Sequence, residues 1–207
     1  MKKIGSTYYD DAYFADNNKH VIITDVDLVD DCDLVILWGG EDISPTIYGE
    51  QGGHYTHKTA PNKRDIFELA VMKRAVEQNI PILGVCRGMQ LMVAANGGKL
   101  WQHVDGHEHG SHLVKFSDGT IIRTNSLHHQ MVRPADWMEV LANTVMPLSR
   151  WKYDQDGRHE DNFAEPEFVY IPNVGLGVQA HPEYSDKNSQ LTLKTVSLIK
   201  HYFDIKL

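Results

Sequence analysis

Of the 207 residues only two are cysteine, Cys32 and Cys86, too few and too far apart for the disulfide framework of a small secreted domain. Long apolar runs are missing too. No stretch approaches the roughly 18–20 residues that a membrane span needs. The start, Met1-Lys2-Lys3-Ile4-Gly5, leads into Ser6 and Thr7 instead of the apolar core of a leader peptide. Basic residues are outnumbered, 20 Lys and Arg against 28 Asp and Glu, for a formal net charge of -8. Nucleic-acid binding requires a clustered positive excess, so neither nucleic acid nor membrane is expected as a partner, and a cytoplasmic location is. Internal repeats and low-complexity tracts are absent. What is present, 42% hydrophobic residues in 207, suffices for one sizeable core, and a single globular domain over residues 1–207 is expected.

Short apolar runs at 21–24, 34–38 and 80–85 alternate with amphipathic stretches, the rhythm of an α/β sheet. Residues 62–79 read as a helix whose apolar face carries Ile66, Leu69, Ala70 and Val76, with Asn62 as its cap and Asp65 in the first turn. Ile80-Pro81-Ile82-Leu83-Gly84-Val85 shows no polar alternation, as expected of a central parallel strand covered on both faces. Residues 89–96 then read as a helix closed by Gly97-Gly98. Turn signals divide the middle of the chain into short strand-like pieces at 120–123, 168–171 and 177–180. Residues 188–203 carry Leu191, Val196, Ile199 and Phe203 at helical spacing.

Cys86 lies where strand, turn and helix meet, inside Gly84-Val85-Cys86-Arg87-Gly88. This is the cysteine form of the nucleophile elbow, in which small flanking residues permit a strained turn. Such a turn exposes the sulfur near the positive end of the next helix, which favours a thiolate, and aims the Arg87 N–H at the same place as an oxyanion donor. Taken alone, the motif leaves a buried structural cysteine as the lesser alternative. His181-Pro182-Glu183 supplies a base with its own orienting carboxylate, since residues two apart in an extended segment point to one side. Trp38-Gly39-Gly40 follows an apolar run, and side chains there would obstruct a substrate carbonyl from approaching a second N–H donor.

Gly39-Gly40-Glu41-Asp42-Ile43-Ser44-Pro45, Arg64-Asp65, Gly84-Val85-Cys86-Arg87-Gly88-Met89-Gln90, Asn125-Ser126-Leu127-His128-His129-Gln130 and His181-Pro182-Glu183 occur in one order along the chain. Together they resemble the gamma-glutamyl-gamma-aminobutyrate hydrolase (peptidase C26) family, a branch of the class I glutamine amidotransferases. The resemblance implies a flavodoxin-like α/β fold: a mostly parallel central sheet flanked by helices, with a small β-rich excursion before the catalytic histidine. It further implies Cys86 as nucleophile, His181 as base and then acid, and Glu183 as its orienter. Backbone N–H groups of Gly40 and Arg87 would form the oxyanion hole, Gln90 would hold the glutamyl group, and His129 and Gln130 would line the pocket. The implied activity is hydrolysis of the gamma-glutamyl amide of glutamine or a gamma-glutamyl amine through a glutamyl thioester, without a cofactor.

Two features depart from that pattern. Residues 8–20, rich in Asp and Tyr, replace a longer segment between the first strands, and residues 151–167 form an acidic, aromatic-containing loop with no counterpart; the latter is expected to bear on substrate choice. His103, His107, His109 and His112 crowd one polar stretch and raise the question of zinc, but ligands so close on one loop rarely close a tetrahedral site. A solvated loop near the substrate, with no metal, is the expectation. His128 fits equally a hydrogen-bonded core histidine. Two alternatives to a stand-alone hydrolase stay open: a glutaminase subunit delivering ammonia to a partner synthetase, and a catalytically idle binding or regulatory module. Oligomeric state is not legible.

Overall fold

The computed structural model describes residues 1–7, 13–14, 18–56, 58–160 and 164–207. Strands β1 (Lys3–Ser6), β2 (Lys19–Ile22) and β3 (Leu34–Leu37) lead to helix α1 (Lys63–Glu77), strand β4 (Ile82–Val85) and helix α2 (Arg87–Ala95). A β-rich excursion follows: β5 (Leu100–Trp101), β6 (His103–Val104), β7 (Ser111–Phe116), β8 (Ile121–Asn125), β9 (Met131–Val132), β10 (Glu139–Thr144), β11 (Lys152–Asp154), β12 (Gly157–His159) and β13 (Pro166–Ile171). Strand β14 (Gly175–Val178) and helix α3 (Gln190–Phe203) complete the order.

Among the described residues, nine strands form one sheet, β2-β1-β3-β4-β14-β13-β10-β7-β8. Neighbours from β2 to β14 run parallel, and the excursion strands extend the sheet antiparallel beyond β14. β4 is therefore the central, fully buried strand that its unbroken apolar run calls for. Its side chains alternate between two cores. Ile82 joins Val35, Leu37 and residues of α1 and α2 on one face, while Leu83 and Val85 join Leu34, Ile36, Val178 and residues of α3 on the other. Helices covering both faces of a parallel sheet make the α/β, flavodoxin-like arrangement that the sequence implies.

Helix α1 begins as expected: Asn62 accepts from the Asp65 N–H at 2.8 Å, and Asp65 accepts from the Asn62 N–H at 3.0 Å. Its inward face is not the expected one. Ile66 is 61% exposed and Val76 lies on the surface, whereas Asp65 and Glu68 are fully buried beside Val71, Met72 and Ala75. The cause is Arg87, whose buried guanidinium pairs with both carboxylates across the α1–α2 contact. Ion pairing reverses the ordinary cost of turning acids inward. The first strand differs as well: β1 holds Lys3-Ile4-Gly5-Ser6, and the run expected at 21–24 pairs at 19–22. Most of segment 8–20 lies outside the described residues, although Phe14 is buried and stacks on Trp38 with ring centroids 6.0 Å apart.

Candidate active site

Cys86 joins β4 to α2 with φ 49 and ψ -104, a left-handed backbone that a non-glycine residue adopts only under strain. The flanking glycines are required by space. A Cβ on Gly84 would lie 2.6 Å from the Gly88 carbonyl carbon, and one on Gly88 would lie 2.0 Å from the Leu37 carbonyl oxygen. The turn is anchored by the Cys86 N–H, which donates to the Val178 carbonyl at 2.7 Å. Cys32 contrasts with this. Its thiol donates to the Leu28 carbonyl at 3.3 Å, and burial pushes it up to about 11, the condition of an inert structural thiol.

β14 runs beside β4, so the residues that follow it arrive next to the sulfur. Gln179, fully buried, places its amide nitrogen 3.5 Å from the Cys86 sulfur. His181 donates from Nδ1 to Glu183 Oε1 at 2.7 Å, which leaves Nε2 for the sulfur. Burial pulls the His181 ring down, but hydrogen bonds to Cys86 and Glu183 outweigh it and hold the ring up to about 10. Asn125 fixes the His181 backbone twice, accepting from its N–H at 2.8 Å and donating to its carbonyl at 2.7 Å. The ring stacks on Tyr184, with centroids 4.9 Å apart.

The Gly39-Gly40 loop closes over this pair. A Cβ on Gly39 would stand 2.5 Å from His181 Cε1 and 3.5 Å from Cys86 Cβ, so a side chain there would crowd both residues. Gly40 has φ 148, and a Cβ there would meet Arg64 Nη1. Arg64 holds the loop by donating to the Trp38 carbonyl at 2.9 Å and the Gly39 carbonyl at 3.0 Å, while its Nε donates to Glu68 at 3.0 Å. The N–H of Arg87, at the first position of α2, has no acceptor within the helix and sits at its positive end.

Gln90, Gln130 and His129 come together with the triad unequally. The Gln90 amide donates to the Gln130 carbonyl at 3.1 Å and to Gln179 Oε1 at 3.3 Å, so its protons serve the protein and only its oxygen is left for a ligand. Gln130 donates to Thr56 at 3.2 Å, and its buried Oε1 has no hydrogen-bond partner among the described residues. His129 stands further out, its Nε2 3.0 Å from Asp42 Oδ1, a hydrogen bond that raises the ring's affinity for a proton. His103, next to it, stacks on Tyr55 at 4.0 Å and neighbours Tyr153 of β11. Much of segment 151–167 is thus the β11–β12 hairpin, paired to β6 through β11.

The histidine-rich stretch is not the solvated loop expected. His107 is fully buried and His112 is 8% exposed, because Glu165 and Glu167 at β13 reach them with 3.2 and 2.9 Å contacts. His128 is a buried histidine held by the Gln130 carbonyl at 3.0 Å, and burial keeps it neutral, well below its ordinary range. Sequence reasoning assigns no role to Gln179, Asn125, Arg64 or the carboxylates that hold Arg87, although Arg64, Asp65 and Asn125 stand in the motifs that carry the resemblance. A glutamine directly after the apolar strand residues Gly177-Val178 was the available signal for the first.

A model of the family described as Peptidase C26 matches residues 16–115, ending ahead of Asn125, His181 and Glu183. The chain is 45% identical over 96 residues to a glutamine amidotransferase-like protein, YvdE, of Lactococcus lactis, covering 43% of this chain and only 40% of that protein. It is 30% identical over 183 residues to protein NtpR of Enterococcus hirae, covering 78% of this chain and 71% of NtpR. It is also 29% identical over 177 residues to the gamma-glutamyl-gamma-aminobutyrate hydrolase PuuD of Escherichia coli, covering 72% and 63%. A crystal structure of a glutamine amidotransferase from Thermotoga maritima superposes with a TM-score of 0.58 at 15% identity, over 98% of this chain and 83% of that one, a likeness of fold.

Proposed function

Since this chain belongs to the Peptidase C26 family of class I glutamine amidotransferase-like proteins, we propose that it is a stand-alone hydrolase of gamma-glutamyl amides, its residues 1–207 acting as one catalytic domain with Cys86 as nucleophile. The observation that carries this reading is the strained Cys86 turn set against a His181 that Glu183 orients at 2.7 Å. A histidine held protonated beside a sulfur is half of a thiolate–imidazolium pair, the state from which a cysteine attacks a carbonyl.

In the proposed reaction the Cys86 sulfur adds to the side-chain amide carbon. The oxygen anion that forms is received by the N–H groups of Gly40 and Arg87. His181 Nε2 gives its proton to the departing ammonia or amine as the C–N bond breaks, leaving a glutamyl thioester. The now neutral ring then takes a proton from water, hydroxide adds to the thioester, and glutamate leaves as the sulfur departs. Gln179 positions the sulfur, Gln90 ties Gln179 to the Gln130 carbonyl in the loop ahead of β9, and Arg64 fixes the loop bearing Gly40. The oxygens of Gln90 and Gln130, with His129 at the rim, are the groups placed to recognise the glutamyl end.

The test is glutamate release by the purified protein from glutamine and from a panel of gamma-glutamyl amines, with Cys86→Ala alongside. Release from the amines that exceeds release from glutamine and vanishes in Cys86→Ala is the expected result. Activity that survives in Cys86→Ala overturns the assignment. Silence on the whole panel, with Cys86 still labelled by a glutamine-like electrophile, replaces the stand-alone hydrolase by a synthetase-dependent glutaminase.

A further inference from the structure

Behind Gln130, buried lone pairs converge that the hydrolytic reaction does not use. His128 donates from Nδ1 to the Gln130 carbonyl at 3.0 Å, which fixes its proton there and leaves Nε2 bare, buried and, among the described residues, without a hydrogen-bond partner. His107 is fixed the other way round. Its Nε2 lies 3.2 Å from Glu165 Oε2, so the ring proton sits on that side. Its Nδ1 faces Ser126 Oγ at 3.5 Å, but that hydroxyl already donates to the His107 carbonyl at 2.7 Å. Glu167 Oε1 lies 3.8 Å from both bare nitrogens, and Glu167 Oε2 is buried and has no hydrogen-bond partner among the described residues.

Two lone pairs and a carboxylate facing one another in a dry interior repel unless something positive stands between them. The spacing fits an ion. Bonds of about 2.1 Å in tetrahedral geometry separate ligand atoms by about 3.4 Å, so the two 3.8 Å gaps to Glu167 need to close by only a few tenths of an ångström, and all three ligand atoms lie within 4.8 Å of one another. The supporting contacts are those of a metal centre: each histidine gives its other nitrogen to a carbonyl or a carboxylate, and His112 Nε2 orients Glu167 Oε1 at 2.9 Å. The charge also balances, since Glu165 is offset by the buried Lys152 at 3.8 Å, leaving Glu167 to face the cation.

We propose that His107 Nδ1, His128 Nε2 and Glu167 form a buried binding site for a first-row divalent cation, with Zn2+ the best match to two imidazoles and one carboxylate. Only His107 comes from the histidine-rich stretch; the other two ligands come from the loop after β8 and from β13. The site is structural. The ion joins three segments of the excursion, and from it the chain His128, Gln130 carbonyl, Gln90, Gln179 runs to the Cys86 sulfur.

The test uses the full chain with Cys86 alkylated, so that no thiolate competes for metal. Metal-stripped protein is titrated with Zn2+ against a chelating dye and, separately, with Co2+ followed by visible absorption. One equivalent of zinc, a four-coordinate cobalt spectrum without thiolate charge transfer, and a higher Tm with zinc are expected. In His128→Gln and Glu167→Gln, zinc affinity falls about a hundredfold or more. Should Glu167→Gln not fold, the cobalt spectrum of the unsubstituted chain together with His128→Gln still decides. Absence of stoichiometric binding, meaning that a bridging water alone fills the gap, overturns the proposal, as does zinc binding unchanged in a folded His128→Gln.

Discussion

Gly39→Ala isolates the geometry of the Cys86–His181 pair without touching either residue. The new methyl would sit 2.5 Å from His181 Cε1, and an ordinary contact begins at 3.4 Å, so the ring must retreat by about 0.9 Å. The ring's stacking partner, Tyr184, is 70% exposed, so a shift of the two rings meets no packed core on that side. The backbone at Gly39 lies outside the left-handed region, so alanine adds no torsional strain there. The fold should therefore hold while the ring nitrogen leaves the sulfur. Displacements near 1 Å cost about a hundredfold in rate, or about 2.7 kcal/mol of barrier. The assay is glutamate release with kcat and KM determined separately, beside thermal unfolding and the rate of Cys86 alkylation. Lower kcat, slower alkylation and an unchanged Tm are expected. Turnover at the unsubstituted rate by a folded Gly39→Ala would refute the placement of His181 as base.

Other perturbations separate the site from its supports. Arg87→Met removes the guanidinium partner of the buried Asp65 and leaves Glu68 to Arg64 alone, and should cost about 3 kcal/mol in chemical denaturation; a neutral result would mean that Asp65 finds another partner. Asn125→Ala removes both backbone bonds of His181 and should lower kcat about tenfold while leaving KM in place; a change in KM alone would assign Asn125 to substrate binding. The raised pKa of His181 has a definite sign: its contribution to stability is complete below its ordinary 6.5 and disappears as pH climbs through about 10. The Tm gap between the unsubstituted chain and His181→Asn should thus narrow across that window, and a widening gap would contradict the hydrogen bonds to Cys86 and Glu183.

What the sequence disclosed is what chemistry imposes locally. Gly84 and Gly88 mark contacts under 3 Å that admit no side chain, and Glu183 stands two residues from the histidine it orients, so both patterns survive in the linear text. The unbroken apolar run of β4 announced a strand between two cores. Misread features depend on partners distant along the chain. The inward turn of Asp65 and Glu68 makes sense only once Arg87 is known to stand opposite, and periodicity by itself assigned the buried face to Ile66 and Val76. His107 and His112 looked solvated because the carboxylates that draw them inward, Glu165 and Glu167, lie more than fifty residues on. β1 was legible only as a strand ahead of residue 8, because four residues beginning with a lysine carry too little pattern to fix its bounds.

The position of β14 has a consequence for how the protein comes into being. It is the last strand of the chain, yet it lies between β4 and β13. While the polypeptide emerges from the ribosome, those two strands wait with open edges until residue 178 is available, and only then does the Cys86 N–H find its acceptor. His181 follows within three residues. The nascent chain therefore displays its thiol long before it can arm it, and the site is assembled by the same insertion that closes the sheet. A product truncated ahead of Gly175 would retain both open edges and lack His181, a geometry that favours strand pairing between molecules.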